Sequence, residues 1–196
     1  MMSTRESAGI SKTYRLKVTL RGSRPPIWRR LEVDAGVTLA QLHDILQIVM
    51  GWTDNHLHQF RRGATYYGQP DPEMGMEREN ERRVQLRQVL RRPKDRMVYE
   101  YDFGDGWEHD VVFEAIGEGG GEKSPPPRVL AGTRACPPED VGGIGGYYRF
   151  LEAIQNPKDP EHRDMLEWGG RFDPDAFEIE EVNKYLQKRS RKRGDA

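Results

Sequence analysis

The chain has 196 residues, of which 35% are hydrophobic and 32% charged, and its 31 basic and 32 acidic side chains leave a net charge of -1. This length fits one domain with its own core, and the nearly balanced charge excludes a strong overall field toward nucleic acid or an anionic membrane. The single cysteine excludes an internal disulfide, and the lack of a signal peptide or long apolar run predicts a cytoplasmic protein without a membrane partner.

The chain begins with a polar tail and two strands. Residues 1–12 show no pattern, which predicts disorder, whereas apolar and polar residues alternate from Tyr14 at the period of a half-buried strand. A turn-forming GSRPP segment follows at 22–26. A second alternating strand then runs from Ile27 to Val33.

Arg29 falls on the apolar face of this second strand. An unpaired guanidinium in the core would be very costly, so two alternatives remain open. Either a bulge turns Arg29 toward solvent, or its side chain is buried against a carboxylate. The second alternative predicts a hydrogen bond to an acidic residue of the most distinctive motifs, namely Asp102, Asp105, Glu139 or Asp140.

An amphipathic helix comes next. Thr38 and Gln41 form a capping-box pattern, apolar residues recur every three or four positions, and Gly51 supplies the end. Ubiquitin-like β-grasp folds begin with this strand–strand–helix order. Other α+β arrangements begin in the same way, and three elements do not separate them.

The middle of the chain predicts a β-hairpin. Apolar residues alternate from Met97 to Phe103 and again from Trp107 to Phe113, and a Gly104-Asp105-Gly106 turn lies between them. Before the hairpin, short strands are expected at 57–62 and 65–67.

Two segments predict flexible loops. The first, at 68–83, is charged and contains proline and glycine, and the second, GEGGGEKSPPP at 117–127, has almost no side chain that could offset the entropy of ordering. Neither flank of the second loop is expected to fold as a separate domain, so this loop is not a domain boundary.

The C-terminal third is predicted to be helical, with helical patterns at 147–154, 161–168 and 179–186. Residues 13–187 therefore form one α+β domain with an antiparallel or mixed sheet. The remaining segment, 188–196, predicts a disordered basic tail. Its cations are candidate contacts for nucleic-acid phosphates: Lys188, Arg189, Arg191, Lys192 and Arg193.

Three motifs carry a family resemblance: GWTDNHLHQF at 51–60, YDFGDGWEH at 101–109 and CPPEDVGGIGGY at 136–147. Together with PPIWRRLEV and the LHDILQ helix, they resemble the plasmid pRiA4b ORF-3-like family, which is related to a resolvase-like passenger protein of an insertion element. The resemblance runs from about Tyr14 to about Leu186. It implies an association with mobile elements and no established activity.

The H-x-H pair of His56 and His58 suggests metal chemistry. On a strand the two imidazoles would share one face, about 7 Å apart at their Cα atoms, and could chelate a transition metal. The alternative is that His58 packs beside Phe60 as a hydrogen-bonded core residue while His56 belongs to the preceding turn.

A polar site is the second candidate. His109 could form a carboxylate–imidazole pair with Asp105 at the hairpin tip or with Asp102, although an Asp between glycines is more often simple turn chemistry. For Cys136 the alternative to a role in this site is a small buried hydrophobe. If the fold brings these motifs together, the site contains Arg29, His58, Asp102, Asp105, His109, Cys136, Glu139 and Asp140.

Two functional hypotheses follow, and the sequence leaves open whether the protein is an enzyme. The first is a non-catalytic binding or accessory module that contacts protein or nucleic acid through local patches. The second is a metal-dependent hydrolase, with Glu139 or Asp140 as general base. Its transition metal would be bound by His58, Asp105, His109 and Cys136.

Overall fold

The computed structural model describes residues 12–70, 77–117 and 125–194. Eight strands within these ranges are β1 (Thr13–Leu20), β2 (Trp28–Asp34), β3 (His58–Arg62), β4 (Thr65–Gly68), β5 (Glu79–Asn80), β6 (Arg96–Tyr101), β7 (Trp107–Gly117) and β8 (Arg128–Thr133). The helices are α1 (Leu39–Met50), α2 (Leu86–Val89), α3 (Gly143–Gln155), α4 (His162–Gly169) and α5 (Ile179–Gly194).

The strands form one mixed sheet in the order β5-β4-β3-β6-β7-β1-β2-β8. The short pair of β4 and β5 is parallel, and the other neighbouring pairs are antiparallel. The predicted α+β class, the strand–strand–helix opening and the helical C-terminal third are confirmed. The hairpin is confirmed as well, because β6 and β7 pair from Arg96 to Tyr101 around the predicted turn.

One face of the sheet is buried, because strand residues alternate between the core and solvent. In β1, for example, Leu16, Val18 and Leu20 are at most 1% exposed, and they share one core with apolar residues of α1, α3 and α5. Ion pairs cross the other face, where Arg21 binds Glu108 at 2.6 Å. The one-sided core explains why simple alternation located the strands.

Helix α1 begins and ends where its caps predict. Thr38 accepts a hydrogen bond from the Gln41 backbone while the Gln41 side chain accepts one from the Thr38 backbone, which completes the capping box. Gly51 ends the helix at φ 83°, in the left-handed region that favours glycine. These caps fix the register of α1 over the sheet.

The loop prediction for 68–83 is wrong at both described ends. Gly68 is the last residue of β4, Glu79 and Asn80 pair with β4 as β5, and Glu81 is only 5% exposed. Glu81 is buried because it meets His58, a partner 23 positions away that no local pattern reveals. Residues 71–76 lie outside the described residues, as do 118–124 of the second predicted loop.

The predicted disordered tail is wrong as far as Gly194, because α5 continues to that residue. Arg189 forms an ion pair with Asp44 of α1 at 2.7 Å, which gives the basic segment a partner in the domain. The boundary at residue 187 therefore does not end the ordered structure. The N-terminal tail up to residue 11 and residues 195–196 lie outside the described residues.

Helix α5 also covers part of β8, which is an edge strand of the sheet. The Asn183 side chain accepts a hydrogen bond from the Val129 backbone N–H at 2.7 Å and donates one to the Val129 carbonyl at 3.0 Å. The Asn183 amide thereby makes the two hydrogen bonds that a neighbouring strand would otherwise make with Val129. Such cover protects the backbone groups of an edge strand from pairing with another chain. Among the described residues, no helix is both long and apolar enough to cross a membrane.

His109 should make the stability of the fold depend on pH. It is fully buried on β7, and burial lowers its pKa from 6.5 to about 4. Between these values the unfolded chain binds a proton that the folded chain does not, so stability falls as the pH falls. We expect a loss of up to about 3 kcal/mol from this one group.

The measurement compares urea unfolding of the wild type and His109→Phe at pH 7 and pH 4.5. Carboxylates contribute equally to both proteins, so the difference between the two pH dependences isolates His109. Identical pH dependences would contradict the assignment.

Candidate metal centre

An open cleft of about 590 Å³ lies between α1, the start of β3 and the segment around β5. His43, Asp54, His56, His58 and Glu81 line it. The cleft thus brings imidazole and carboxylate side chains together. Such a mixture is the donor set that transition metals prefer.

The hydroxyl group of Tyr99 positions the α1 side of the cleft. Tyr99 lies on β6, where it is fully buried, and it meets two α1 residues one turn apart. Gln47 donates to the hydroxyl oxygen at 3.0 Å, and His43 Nδ1 lies 2.8 Å from the same oxygen. Because the oxygen already accepts from Gln47, we assign the hydroxyl proton to a bond toward His43 Nδ1.

This assignment places the His43 proton on Nε2, which lies 2.8 Å from Asp54 Oδ1. The Asp54 backbone N–H in turn donates to Gln47 Oε1 at 2.9 Å. His43, Tyr99, Gln47 and Asp54 therefore close a ring of hydrogen bonds that holds His43 Nε2 toward the cleft. Burial, reinforced by the neighbouring His58 ring, lowers the pKa of His43.

His58 stacks directly on His43. The two ring centroids are 3.4 Å apart and the ring planes differ by 3°. On its other side, His58 Nε2 lies 2.8 Å from Glu81 Oε2, and both side chains are largely buried. The structure thus packs two imidazoles against each other, each with its own carboxylate.

The donor atoms of His43, Asp54 and His58 all lie within 4.8 Å of one another. Nitrogen and oxygen ligands bind zinc at about 2.0–2.2 Å, so ligands of one ion must lie within about twice that distance of one another. The three donor atoms are close to this spacing. Each nitrogen lone pair lies in its own ring plane, so the two stacked imidazoles would have to tilt toward each other's donor edge before the cluster could hold a transition metal.

A second cluster surrounds His56. Its Nδ1 lies 3.6 Å from Asp102 Oδ2 and its Nε2 lies 3.1 Å from Asp140 Oδ1. Nε2 makes no well-aligned hydrogen bond, although the Asp140 carboxylate lies this close to it. Both aspartates have left-handed backbone conformations, at φ 57° and 61°, which Asp tolerates better than most residues. His56 thus lies between two carboxylates at the cleft wall.

The H-x-H pair is split between these clusters. His56 belongs to the turn before β3, and His58 is the first residue of the strand. The two imidazoles therefore serve different neighbours, as the alternative reading of this motif predicted for His56.

Glu139 lies outside the cleft lining and links segments that border the cleft. It accepts a hydrogen bond from Tyr101 at 2.5 Å and others from the backbone N–H and the hydroxyl group of Thr53. Burial, together with the bond to Glu139, raises the pKa of Tyr101. Glu139 therefore connects the 136–140 turn to β6 and to the segment that carries Asp54.

Arg29 is buried as predicted, at 1% exposure, but the prediction of a carboxylate partner is wrong. Its five N–H groups have five other acceptors, and its guanidinium lies 3.6 Å from the ring centroid of Phe177. The acceptors are the carbonyl oxygens of Val49, Trp28, Thr133 and Arg134 and the sulfur of Cys136.

The reason for this error is that backbone carbonyls can satisfy a guanidinium. Val49 lies in the last turn of α1, where carbonyl groups lack helical partners and carry partial negative charge. Thr133 and Arg134 present theirs at the end of β8. Burial lowers the pKa of Arg29.

The predicted four-ligand metal set is not assembled. Cys136 is buried beside Arg29 and Met50, His109 lies in the core, and Asp105 accepts a hydrogen bond from the Gly142 backbone. Within the described ranges, His58 is the one predicted ligand that belongs to a potential metal cluster with His43.

Three members of the site were missed in the sequence. His43 lies on the apolar face of the predicted helix, next to Leu42, and an imidazole at a core-facing helical position was the available signal. Asp54 precedes the H-x-H pair by two residues. Glu81 had no local signal, because its segment was predicted to be a loop. The nucleic-acid contacts of the basic segment remain a prediction.

Arg29→Lys should destabilise the fold by about 2–4 kcal/mol, because an ammonium group has three donors and leaves buried acceptors unsatisfied. The matched control is Arg30→Lys on the exposed face of the same strand, where Arg30 pairs with Glu114. This control should cost less than about 1 kcal/mol. Equal losses in urea unfolding would contradict the role of the five buried donors.

The comparisons with known proteins give one consistent result. A family model described as plasmid pRiA4b ORF-3-like protein matches residues 12–181. The uncharacterized protein y4hQ of Sinorhizobium fredii (strain NBRC 101917 / NGR234) is 40% identical over 182 residues, which covers 89% of this chain and 91% of that protein. The crystal structure of MM3350 from Methanosarcina mazei Go1, a protein of unknown function, is similar with a TM-score of 0.79 and 33% identity, covering 89% of this chain and 99% of that one.

Proposed function

The chain belongs to the plasmid pRiA4b ORF-3-like family, and from that premise we propose that it is a metal-dependent hydrolase whose ion is bound by His43, Asp54 and His58. The family description and the names of the relatives mention no reaction. Support for the proposal therefore comes from the cleft itself.

The observation that carries the proposal is the cluster of three donor atoms at the wall of an open cleft. Structural zinc sites are closed by four protein ligands, whereas catalytic sites have three protein ligands and a position open to water or substrate. The arrangement of His43, Asp54 and His58 resembles the catalytic type. A bound divalent ion would polarise a substrate oxygen and lower the pKa of a bound water.

The neighbouring residues would hold the ligands in place. Tyr99 holds His43 through Nδ1, which leaves Nε2 to face the cleft, and Glu81 fixes the orientation of His58. An ion at Nε2 would require the His43 proton to move from Nε2 to Nδ1, where it would face the Tyr99 oxygen, because metal-binding histidines commonly donate their second ring N–H to such a partner. The buried Tyr99 hydroxyl is therefore proposed to tune the metal affinity without binding the ion.

His56 would transfer the proton. It lines the same cleft, and Asp102 and Asp140 flank its ring. In hydrolysis the oxygen of water forms the new bond, the bond to the leaving group breaks, and the leaving group takes up a proton. An imidazole between two carboxylates suits the role of accepting the water proton and delivering it to the leaving group.

The non-catalytic accessory module remains a separate prediction. Such a module would bind protein or nucleic acid, at the cleft or elsewhere, without converting a substrate. The two functions are therefore distinguished by whether a metal-loaded protein converts a substrate.

We expect one Co²⁺ ion to bind per chain, detected by the visible absorption of the ion and by titration calorimetry. His43→Ala and His58→Ala should each weaken binding more than Tyr99→Phe does, since the latter removes only an outer partner and should cost about 10- to 100-fold. The control is His162→Ala, because His162 binds the Ala153 carbonyl outside the cleft. Undiminished Co²⁺ binding by both histidine variants would refute this centre.

Turnover is tested with p-nitrophenyl phosphate and p-nitrophenyl acetate. We expect hydrolysis that a chelator abolishes, and His56→Gln should lower kcat by about 10²- to 10⁴-fold while Co²⁺ binding is retained. A metal-loaded protein that converts neither compound would favour the non-catalytic module.

A further inference from the structure

Arg78 is a cation at the wall of the cleft. It is partly buried, and it forms no ion pair with a carboxylate in the part of the chain that the structure describes. Its guanidinium carbon lies 5.2 Å from the ring centroid of Phe103, which belongs to the YDFGDGW motif. Its side chain also packs over Gly68, where an added Cβ would lie 3.0 Å from Arg78 Cδ.

These two contacts hold the Arg78 side chain in place without neutralising it. A ring face and a glycine backbone leave the donor edge of the guanidinium free for another acceptor. The small residue at position 68 explains how the side chain can lie this close to the end of β4. Ordering a free cation in a cleft has a cost, which an anionic ligand would offset.

The cleft also contains cations that an anionic ligand could pair with. Asp44 is paired with Arg189, and a divalent ion would balance Asp54 and Glu81. Among the described residues of the lining, Arg78 and the exposed Arg82 then remain as cations without an ion-pair partner. Asp102 and Asp140 lie beside His56 at the same wall, so the preference for an anion rests on the position of these two cations and not on a net charge.

We propose that the cleft recognises a phosphoryl group, with Arg78 binding its oxygen atoms beside the metal ion. This inference rests on the proposed metal centre and specifies the substrate class of that centre. A guanidinium forms two parallel hydrogen bonds to phosphate oxygens, and a divalent ion can polarise another oxygen of the same group. The substrates of the proposed hydrolase are therefore phosphate esters.

The test uses the full chain loaded with one equivalent of Co²⁺ and titrated with inorganic phosphate or acetate. Calorimetry and the visible spectrum of the ion report binding. We expect one phosphate per chain and affinity for acetate at least about 10-fold weaker. Arg78→Gln retains the aliphatic part of the side chain but loses the charge, and should weaken phosphate binding by about 10- to 100-fold.

Two further variants separate a specific contact from general charge. Arg78→Lys retains the charge but not the paired geometry, so its affinity should lie between those of the wild type and Arg78→Gln. Arg83→Gln removes an exposed cation outside the cleft lining and should leave phosphate affinity unchanged. Co²⁺ affinity should stay the same in all three variants, which also shows that the cleft is intact.

Each contrary outcome has a distinct meaning. If Co²⁺ binds but Arg78→Gln binds phosphate as well as the wild type does, the inference is overturned and the metal centre stands. Preference for acetate over phosphate overturns the phosphoryl class. If the wild type binds no Co²⁺, the proposed function and this inference both fail.

Discussion

The hydroxyl group of Tyr99 joins the centre of the sheet to α1, the helix that carries His43. Because Tyr99 is fully buried on β6, its oxygen needs partners inside the protein, and His43 and Gln47 supply them from successive turns of α1. The same bonds orient His43 and hold Asp54 through Gln47. The core packing of the helix and the geometry of the cleft therefore depend on one polar contact.

Arg29 makes a second connection of this kind, between β2, the last turn of α1 and the end of β8. It stabilises the fold by satisfying backbone carbonyls that would otherwise be buried without donors. The Tyr99 contact holds the middle of α1, and the Arg29 contact holds its last turn. The helix also buries Leu42, Leu46 and Val49 in the core, so His43 rests on a rigid element.

Much of the fold was predictable from the sequence because it depends on interactions between residues that are close together in the chain. The capping box of α1, its glycine end and the hairpin around Gly104–Gly106 depend on residues only a few positions apart. The site was less predictable because its contacts join distant residues: Glu81 meets His58, and Arg29 meets backbone carbonyls whose position no side-chain pattern reveals. His43 could have been found, since a histidine on the buried face of a helix requires a polar partner.

X-ray absorption spectroscopy of the Zn²⁺-loaded chain tests the central claim most directly, because it identifies the ligands of the ion. The account predicts a first shell of nitrogen and oxygen at about 2.0–2.1 Å, with outer scattering from two imidazole rings, which are those of His43 and His58. A sulfur ligand at about 2.3 Å, which would have to come from Cys136 or a methionine, or a shell without imidazole, would contradict it.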